Sequence, residues 1–352
     1  MTYAQDTVHV VLAVCDPKGT YSRHAGVVMT SVFEHTKSRV CVHILHDETL
    51  TGGNRARFEE TAGMYGQSVE FHDVSPFMEQ MSEYALQHAR KGHSIGALFR
   101  LSSPDILKID KAIYLDVDII VNMNIQELWD IPMEGCSLAG ARDMPIGRFS
   151  AAAFRRKLMG CDRKDYVNSG VLIMNLSQIR EKYNLLQQSA QWYKYCRSYS
   201  HLVDQNFLNS CFCGDIKIID ARFNNGNARD NNSANSILHS MGIAKPWNGL
   251  TGSVIDRLYW KTWIKTPWGR LEPDKVIDMV INVVENSPYT HRHTSQCYKK
   301  IFYRLLKDAV CNDVVMIVCL CAKYLICKVS NANVLLKESL SNVLSRCYID
   351  LQ

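Results

Sequence analysis

The sequence predicts an α/β fold with a mostly parallel sheet, and three features support this prediction. Short apolar runs that suit strands alternate with segments whose apolar residues recur at helical spacing. The run Val8 to Val14 is apolar except for His9, which suits a strand covered by helices on both faces. An acidic pair, Asp116 and Asp118, directly follows one such run. Ligands of α/β sheets bind at the carboxyl ends of the strands, so this pair marks a candidate site.

The strands and helices are expected to alternate along the chain. The expected strands are Val8 to Val14, Val40 to Ile44, Ser68 to Val74, Ala112 to Leu115, Val167 to Asn175 and Ile216 to Ile219. The expected helices are Tyr21 to His35, Glu48 to Tyr65, Ser94 to Leu107 and Asp204 to Cys211, and Ser177 is expected to cap a further helix. Residues Asn224 to Ser236 are mostly Asn, Gly, Ser and Asp, which predicts a loop.

Composition narrows the class of protein. The 352 residues can form one large α/β domain and a smaller appendage. The net charge of +5 is modest, whereas a dedicated nucleic-acid binder has a denser basic stripe. The 13 cysteines include no C-x-x-C pair, which indicates thiols in a reducing compartment. The first residues lack the basic region of a signal peptide, so we expect a cytoplasmic location.

The clearest sign of chemistry is the segment Tyr114-Leu115-Asp116-Val117-Asp118. Two carboxylates at positions i and i+2 beyond a strand can point in the same direction. Carboxylate oxygens suit Mg²⁺ or Mn²⁺, which usually keep coordination positions for substrate phosphates. Two solvated aspartates in a turn are the alternative interpretation.

A second sign is the segment from His239 to Trp247, with the pattern His-x-x-Gly-x-x-Lys-Pro-Trp. Imidazole is a common ligand of manganese-like ions. Gly242 allows the backbone to approach a phosphate closely, and Lys245 offers it a positive charge. A single structural histidine is the alternative for His239, but the combined pattern favours a phosphate site.

Together these segments resemble glycosyltransferase family 8, which includes bacterial lipopolysaccharide galactosyl- and glucosyltransferases and, more distantly, glycogenin. The resemblance extends from about Val8 to Trp247. It is carried by Thr30-Ser31-Val32, His93 to Leu101, YLDVDIIV, Asn168-Ser169-Gly170-Val171-Leu172, Asp204-Gln205 with Leu208-Asn209, Arg222-Phe223-Asn224 and the His239 segment. The resemblance implies the GT-A fold, a Rossmann-like mixed sheet flanked by helices.

The resemblance also implies roles for individual residues. Asp116, Asp118 and His239 are the expected ligands of Mn²⁺, with Mg²⁺ as a second option, held by the diphosphate of UDP. The expected nucleotide-sugar contacts are Ala13, Asp16, Tyr21, Arg100, Val117, Gly242 and Lys245. The residues expected around the transferred sugar are Asp143, Asn168, Asp204 and Gln205.

The implied activity is transfer of glucose or galactose from a UDP-sugar to a surface glycan or lipopolysaccharide-type acceptor, with retention of anomeric configuration. Gln205 is a poor nucleophile, so a front-face attack is expected rather than a covalent glycosyl intermediate. Two alternatives remain. One is a metal-dependent phosphohydrolase of the haloacid dehalogenase class, suggested by Asp116-x-Asp118 with Gly214-Asp215 and Asp220. The other is a UDP-sugar-binding scaffold without turnover.

The sequence predicts a GT-A catalytic domain over residues 1–268 and a helical C-terminal extension over residues 269–352. Within the extension, Tyr298 to Leu306 alternates cationic with aromatic or aliphatic residues. Such a helix can lie in the headgroup region and hold the protein peripherally at the inner face of the cytoplasmic membrane. A helix packed on the catalytic domain with a solvated basic face is the alternative.

Overall fold

The computed structural model describes residues 7–81, 86, 95–143, 165–195, 203–228, 231–241, 245–248 and 253–271. The chain divides into two compact units, Met1–Met241 and Gly242–Gln352. Apart from residues 269–271, the predicted helical extension, including the amphipathic segment Tyr298 to Leu306, lies outside the described residues. The expected domain boundary at residue 268 therefore stays a prediction.

We number the described elements in chain order. The strands are β1 (Val8–Val14), β2 (Val40–His46), β3 (Ser68–Asp73), β4 (Lys111–Leu115), β5 (Ile119–Asn122), β6 (Leu138–Arg142), β7 (Val167–Asn175), β8 (Ile216–Ile219) and β9 (Ser236–His239). The helices are α1 (Ser22–His35), α2 (Gly52–Met64), α3 (Ser75–Met78), α4 (Gly96–Phe99), α5 (Ser103–Ile106), α6 (Gln126–Trp129), α7 (Leu176–Lys182), α8 (Leu185–Tyr195), α9 (Val203–Cys211), α10 (Val254–Trp263) and α11 (Pro267–Leu271).

Seven strands form one mixed sheet in the order β3-β2-β1-β4-β7-β6-β8. Strands β3, β2, β1 and β4 are parallel, and so are β6 and β8. Strand β7 runs antiparallel to both of its neighbours, β4 and β6. Six of the seven strands of this sheet therefore run in the same direction and β7 is reversed, so the predicted mostly parallel sheet and the mixed sheet of the GT-A fold are both confirmed. A strand buried on both faces has the same apolar pattern in either direction, so the pattern could not reveal the reversal.

Apolar side chains of the central strands β4 and β7 belong to the same buried core as side chains of α4 and α9. Leu98 and Phe99 of α4 join Tyr114 of β4, Leu172 of β7 and Phe207 of α9 in this core. Burying each such side chain stabilises the fold by about 1.5–3 kcal/mol.

A second sheet has two strands, β5 and β9, which pair antiparallel. Strand β5 begins directly after the acidic turn at Asp116–Asp118, and β9 ends at His239. Ile119 of β5 lies opposite His239 in the register. This small sheet therefore brings residues more than a hundred positions apart to the end of β4.

Two local predictions differ from the structure. Helix α7 is capped by Asn175, whose side-chain oxygen accepts from the backbone N–H of Gln178, and not by Ser177. The single helix expected over residues 94–107 is divided into α4, a 3₁₀ turn at Arg100–Ser102 and α5. Pro104 lies in the first turn of α5, where its missing N–H costs nothing, and it interrupts the backbone bonding of the preceding turn.

In the second unit, α10 begins after Ser253, whose hydroxyl accepts from the backbone N–H of Asp256. The Trp260 indole N–H donates to the carbonyl of Pro246 at 3.0 Å. The rings of Trp247 and Tyr259 are 5.8 Å apart, so the Lys245-Pro-Trp segment is packed on α10. Within the described parts of the chain, no helix is long and apolar enough to cross a bilayer.

Candidate active site

The acidic turn lies at the carboxyl end of β4, in the centre of the large sheet. The backbone N–H of Asp116 donates to the carbonyl of Gly170 on β7 at 2.8 Å. A carboxylate oxygen of Asp118 lies 3.2 Å from Nε2 of His239, and an oxygen of Asp116 lies 4.0 Å from the same nitrogen. The ligand atoms of the three residues all lie within 4.8 Å of one another. The structure thus brings together the three expected metal ligands.

A chain of hydrogen bonds fixes the tautomer of His239. The backbone N–H of Gly170 donates to Oδ1 of Asn168, so this oxygen is an acceptor. Asn224 donates its amide N–H to the same oxygen at 2.9 Å, which turns its own carbonyl oxygen towards Nδ1 of His239 at 2.8 Å. Nδ1 must therefore carry the proton, and Nε2 presents a lone pair to the two carboxylates. Such outer partners orient metal-ligating imidazoles.

Because Gly170 has no side chain, it leaves space beside the imidazole of His239 and the carboxylate of Asp116. A Cβ atom at this position would lie 2.2 Å from Cε1 of His239 and 3.0 Å from Oδ2 of Asp116. Any other residue would displace the imidazole. Two carboxylates and one neutral imidazole are a donor set suited to Mn²⁺ or Mg²⁺, so the residues present fit a hard divalent cation.

Arg100 compensates the acidic charge around this site. Its guanidinium lies 2.8 Å from Oδ1 of Asp116 and 3.1 Å from Oδ2 of Asp204, and it stacks over the Tyr114 ring. Tyr114 also donates its hydroxyl to Oδ1 of Asp116 at 3.0 Å. Both contacts use Oδ1 of Asp116, so the other oxygen of this carboxylate, Oδ2, faces His239.

The electrostatics of these groups follow from their burial. Burial raises the pKa of Asp116 above its usual value, with Arg100 acting in the opposite direction and Asp118 raising it further. Burial by itself would lower the pKa of Arg100, but Asp204, Tyr114 and Asp116 raise it overall. The guanidinium therefore stays charged, and a cation bound at the acidic turn would favour the ionised form of Asp116.

The residues expected around the sugar also lie together. Asn168 and Gln205 donate their amide N–H groups to the two oxygens of Asp143, at 3.1 and 3.2 Å. The carbonyl oxygen of Gln205 accepts from the backbone N–H of Ser169 at 3.0 Å. Asp204, one residue earlier, accepts from the Ser169 hydroxyl and pairs with Arg100. One hydrogen-bonded network thus joins the start of β7, α9 and the end of β6.

At the end of β1, Asp16 has a structural position that the sequence did not reveal. Its carboxylate accepts from the backbone N–H groups of Tyr21 and Ser22 and from the side chain of Asn54, so it holds the start of α1. Two further expected nucleotide-sugar contacts are also buried. They are Ala13, near the end of β1, and Val117, within the acidic turn. Burial raises the pKa of Tyr21, and Asp118 and Asp116 raise it further, which places this ring in the field of the acidic turn.

The roles expected for Gly242 and Lys245 as diphosphate contacts stay predictions. Gly242 lies outside the described residues, and Lys245 belongs to the second unit. Conversely, sequence reasoning assigned no role to Asn224, Ser169 or Tyr114, which contact the expected site residues. Asn224 could have been found from the sequence, because the segment Arg222-Phe223-Asn224 is one of those that carry the family resemblance.

The geometry argues against the phosphohydrolase alternative. That class needs a later acidic motif beside the Asp-x-Asp pair, and the expected motif was Gly214-Asp215 with Asp220. Asp215 precedes β8, which runs parallel to β6 and hence to β4, so it lies at the opposite end of the strands from Asp116. Its carboxylate accepts from the backbone N–H and hydroxyl of Ser137 and from the Tyr183 hydroxyl. Asp220 follows β8 at the same end as Asp116, but β6 and β7 separate β8 from β4, and its carboxylate accepts from the backbone N–H of Arg222.

A mixed sheet with an acidic turn at its central strand end is the arrangement of GT-A glycosyltransferases. The sequence profile of glycosyl transferase family 8 matches residues 13–251, and the chain belongs to this family. The resemblance read from the motifs is thereby confirmed. The general interpretation of the chain as a glycosyltransferase is confirmed with it.

Curated relatives agree with this assignment. A putative glycosyltransferase of Haemophilus influenzae is 30% identical over 205 residues, which cover 58% of this chain and 60% of the relative. General stress protein A of Bacillus subtilis is 26% identical over 292 residues, covering 76% of this chain and 96% of the relative. A probable galacturonosyltransferase-like protein of Arabidopsis thaliana is 29% identical, covering 46% of this chain and 52% of the relative.

Solved structures share the fold. Galactosyltransferase LgtC, in complex with donor and acceptor sugar analogues, superposes with a TM-score of 0.62 at 22% identity and covers 74% of this chain and 96% of LgtC. Glycosyltransferase GlyE of Streptococcus pneumoniae has a TM-score of 0.56 at 17% identity, covering 76% of this chain and 63% of GlyE.

Proposed function

We propose that this chain is a metal-dependent, retaining glycosyltransferase that transfers a hexose from a UDP-sugar to a glycan or glycolipid acceptor. The observation that carries the proposal is the group formed by Asp116, Asp118 and Nε2 of His239 at the carboxyl end of β4. A site of two carboxylates and one oriented imidazole suits a cation that shares its coordination positions with a diphosphate.

The protein's own groups prepare this site before a donor binds. Arg100 fixes Asp116 through Oδ1, while Asn224 keeps the proton of His239 on Nδ1. When bound, the divalent ion supplies electrostatic stabilisation of the leaving diphosphate, worth several kcal/mol. Mn²⁺ is the expected ion and Mg²⁺ the second option.

The network of Asp143, Asn168, Asp204 and Gln205 would bind the hydroxyl groups of the transferred sugar. Each of these side chains has a defined hydrogen-bond partner, so the polar atoms are held in fixed positions. Fixed dipoles stabilise the developing positive charge of an oxocarbenium-like transition state without reorganising during the reaction.

A front-face substitution fits these positions. The bond between the anomeric carbon and the leaving phosphate oxygen breaks, and its electron pair goes to UDP. The acceptor hydroxyl oxygen forms the new bond on the same face and gives its proton to the leaving phosphate. Gln205 has no carboxylate to act as nucleophile, and Asp204 is bound by Arg100 at 3.1 Å, which disfavours a covalent glycosyl intermediate.

Donor and acceptor are the finer parts of the proposal. We expect glucose or galactose as the transferred sugar, and the names of the relatives add galacturonic acid to the set to be tested. A lipopolysaccharide-type or other surface glycan is the expected acceptor, and the expected location is the cytoplasm. Peripheral membrane contact through residues 269–352 remains part of this proposal.

The test is incubation of the metal-free protein with Mn²⁺ and a panel of UDP-sugars, with analysis of all products. Slow release of UDP and free hexose from one donor, abolished by excess chelator, is the expected result. Release of inorganic phosphate would instead support a phosphohydrolase. Binding of a UDP-sugar without any product would support a scaffold without turnover.

A further inference from the structure

A second group of metal-ligating side chains lies on the parallel half of the sheet. His9 on β1 lies opposite Cys41 on β2 in the register, and His43 on β2 lies opposite Glu70 on β3. Residues two apart on a strand share a face, so these four side chains and His72 all project from the same side. His9 is the second residue of β1, whereas the acidic turn follows the opposite, carboxyl end of the parallel strands.

The side chains of this group are in direct contact. Nδ1 of His9 lies 2.9 Å from Nε2 of His43, and Nδ1 of His43 lies 3.0 Å from Nε2 of His72. The ligand atoms of His9, Cys41 and His43 all lie within 4.8 Å of one another. A tetrahedral Zn²⁺ separates nitrogen and sulfur ligands by about 3.3–3.6 Å, so small side-chain rotations would bring these three atoms around one ion.

We propose that His9, Cys41 and His43 bind one Zn²⁺-class ion, through Nδ1, Sγ and Nε2 respectively. Two imidazoles and one thiolate are ligands that zinc prefers, whereas hard ions such as Mg²⁺ avoid sulfur. The ion would join β1 to β2 across their register. Binding releases the thiol proton of Cys41 to solvent, because the thiolate is the ligand.

The neighbouring residues support this choice of ligand atoms. If Nε2 of His43 holds the ion, Nδ1 keeps its proton and donates it towards His72 at 3.0 Å or the carboxylate of Glu70 at 3.4 Å. A carboxylate behind a metal-bound imidazole is the usual outer arrangement of zinc sites. The second possible triad, His43, Glu70 and His72, contains no sulfur and would use the other nitrogen of His43.

Burial keeps the imidazoles neutral, which leaves lone pairs for an ion. Burial, together with His9 and His72, lowers the pKa of His43 to about 3. The pKa of His9 is also lowered by burial, with Glu70 acting in the opposite direction. The Cys41 side chain is buried, which raises the pKa of its thiol to about 11, so a bound cation must drive its ionisation.

The experiment titrates the reduced, metal-free, full-length protein with Co²⁺ and records its near-ultraviolet spectrum. The expected result is a sulfur-to-cobalt charge-transfer band that saturates at one ion per chain and disappears when Zn²⁺ is added. Asp118→Asn should keep the band, because the acidic turn contains no sulfur. Cys41→Ser should remove it, and Cys213→Ser, a change at an exposed thiol, should not.

Zn²⁺ affinity gives a second readout that does not depend on the buried cysteine. His9→Gln, at a partly exposed position, should weaken Zn²⁺ binding by about tenfold or more. His46→Gln is the matched control, because His46 lies on the opposite face of β2 with its Nδ1 at the carbonyl of Asp47. Absence of the band, its persistence in folded Cys41→Ser, or equal Zn²⁺ affinity of His9→Gln and His46→Gln would overturn the proposal. If His72→Gln loses Zn²⁺ binding while Cys41→Ser and His9→Gln keep it, the ion lies in the second triad and the proposal is also overturned.

Discussion

The acidic turn after β4 and the histidine group on β1 and β2 each place an imidazole among other metal-ligating side chains, but they differ in charge and in ligand atoms. The acidic turn has two carboxylates beside Arg100. His9, Cys41 and His43 are neutral without an ion and include a sulfur atom. Carboxylate oxygens suit a hard ion that shares its coordination with a substrate. Imidazole nitrogens and a thiolate suit Zn²⁺.

The largest effect is expected for Asp118→Asn, which tests whether the acidic turn carries the chemistry. Loss of a metal ligand removes several kcal/mol of transition-state stabilisation, so transfer should fall by about 10²-fold or more. Sugar transfer and Mn²⁺ affinity would be measured with circular dichroism as a check of folding. Asp110→Asn is the control, since that side chain is 90% exposed. Near-normal activity of Asp118→Asn, or activity in excess chelator, would contradict the metal assignment.

Gly170→Ala tests whether the acidic turn depends on open space in a way that the histidine group does not. The new methyl group would lie 2.2 Å from Cε1 of His239 and displace the ring. Overpacking of this kind costs about 1–3 kcal/mol, and Mn²⁺ affinity should fall with it. Gly63→Ala in α2 is the control, because a Cβ there meets no atom within 4 Å. Unchanged Mn²⁺ affinity in Gly170→Ala would show that the ring position is not critical.

Asn224 sharpens the comparison, because it orients His239 as Glu70 is proposed to orient His43. Asn224→Ala should weaken Mn²⁺ binding by about 10–100-fold, the usual cost of losing an outer partner. Asn224→Asp can still accept from Nδ1 of His239 but cannot donate to Asn168, so its loss should be smaller. Calorimetric Mn²⁺ titrations of both variants would check this order. Equal affinities of Asn224→Ala and the unmodified protein would exclude the positioning role.

Lys245→Ala should weaken UDP binding, because a cation in contact with the diphosphate would be lost. A charge-assisted contact is worth about 1.5–3 kcal/mol, so affinity should fall by roughly tenfold to a hundredfold. Lys261→Ala, on the exposed side of α10, should leave UDP affinity unchanged. An unaltered calorimetric titration for Lys245→Ala would remove Lys245 from the set of phosphate contacts.

The smallest effect on transfer is expected for the histidine group. His9→Gln should keep the rate of sugar transfer close to that of the unmodified protein, since His9 lies at the end of β1 opposite to the acidic turn. The same variant should lose thermal stabilisation by Zn²⁺, because an ion that binds only the folded state stabilises it. A parallel loss of transfer and of Zn²⁺ stabilisation would show that the two groups are coupled.

Much of the fold could be predicted from local pattern. Strands β1, β7 and β8 have the expected bounds. Strand β1 is apolar except for His9, and Val171 to Met174 give β7 an apolar second half. Strands β5, β6 and β9 were not predicted, although β4 and β8, with five and four residues, are equally short and were predicted. Runs of this length carry little periodicity, so pairing with a partner decides whether they become strands.

By itself, the sequence determined the α/β class, the family and the acidic pair, because these depend on short apolar runs and on motifs within a few residues. The tertiary structure alone decided the antiparallel direction of β7, the bonds of Arg100 to Asp116 and Asp204, and the orientation of His239 by Asn224. It also decided the meeting of His9 with His43 across the register of β1 and β2. These contacts join distant residues, and only strand order and register set which residues face one another.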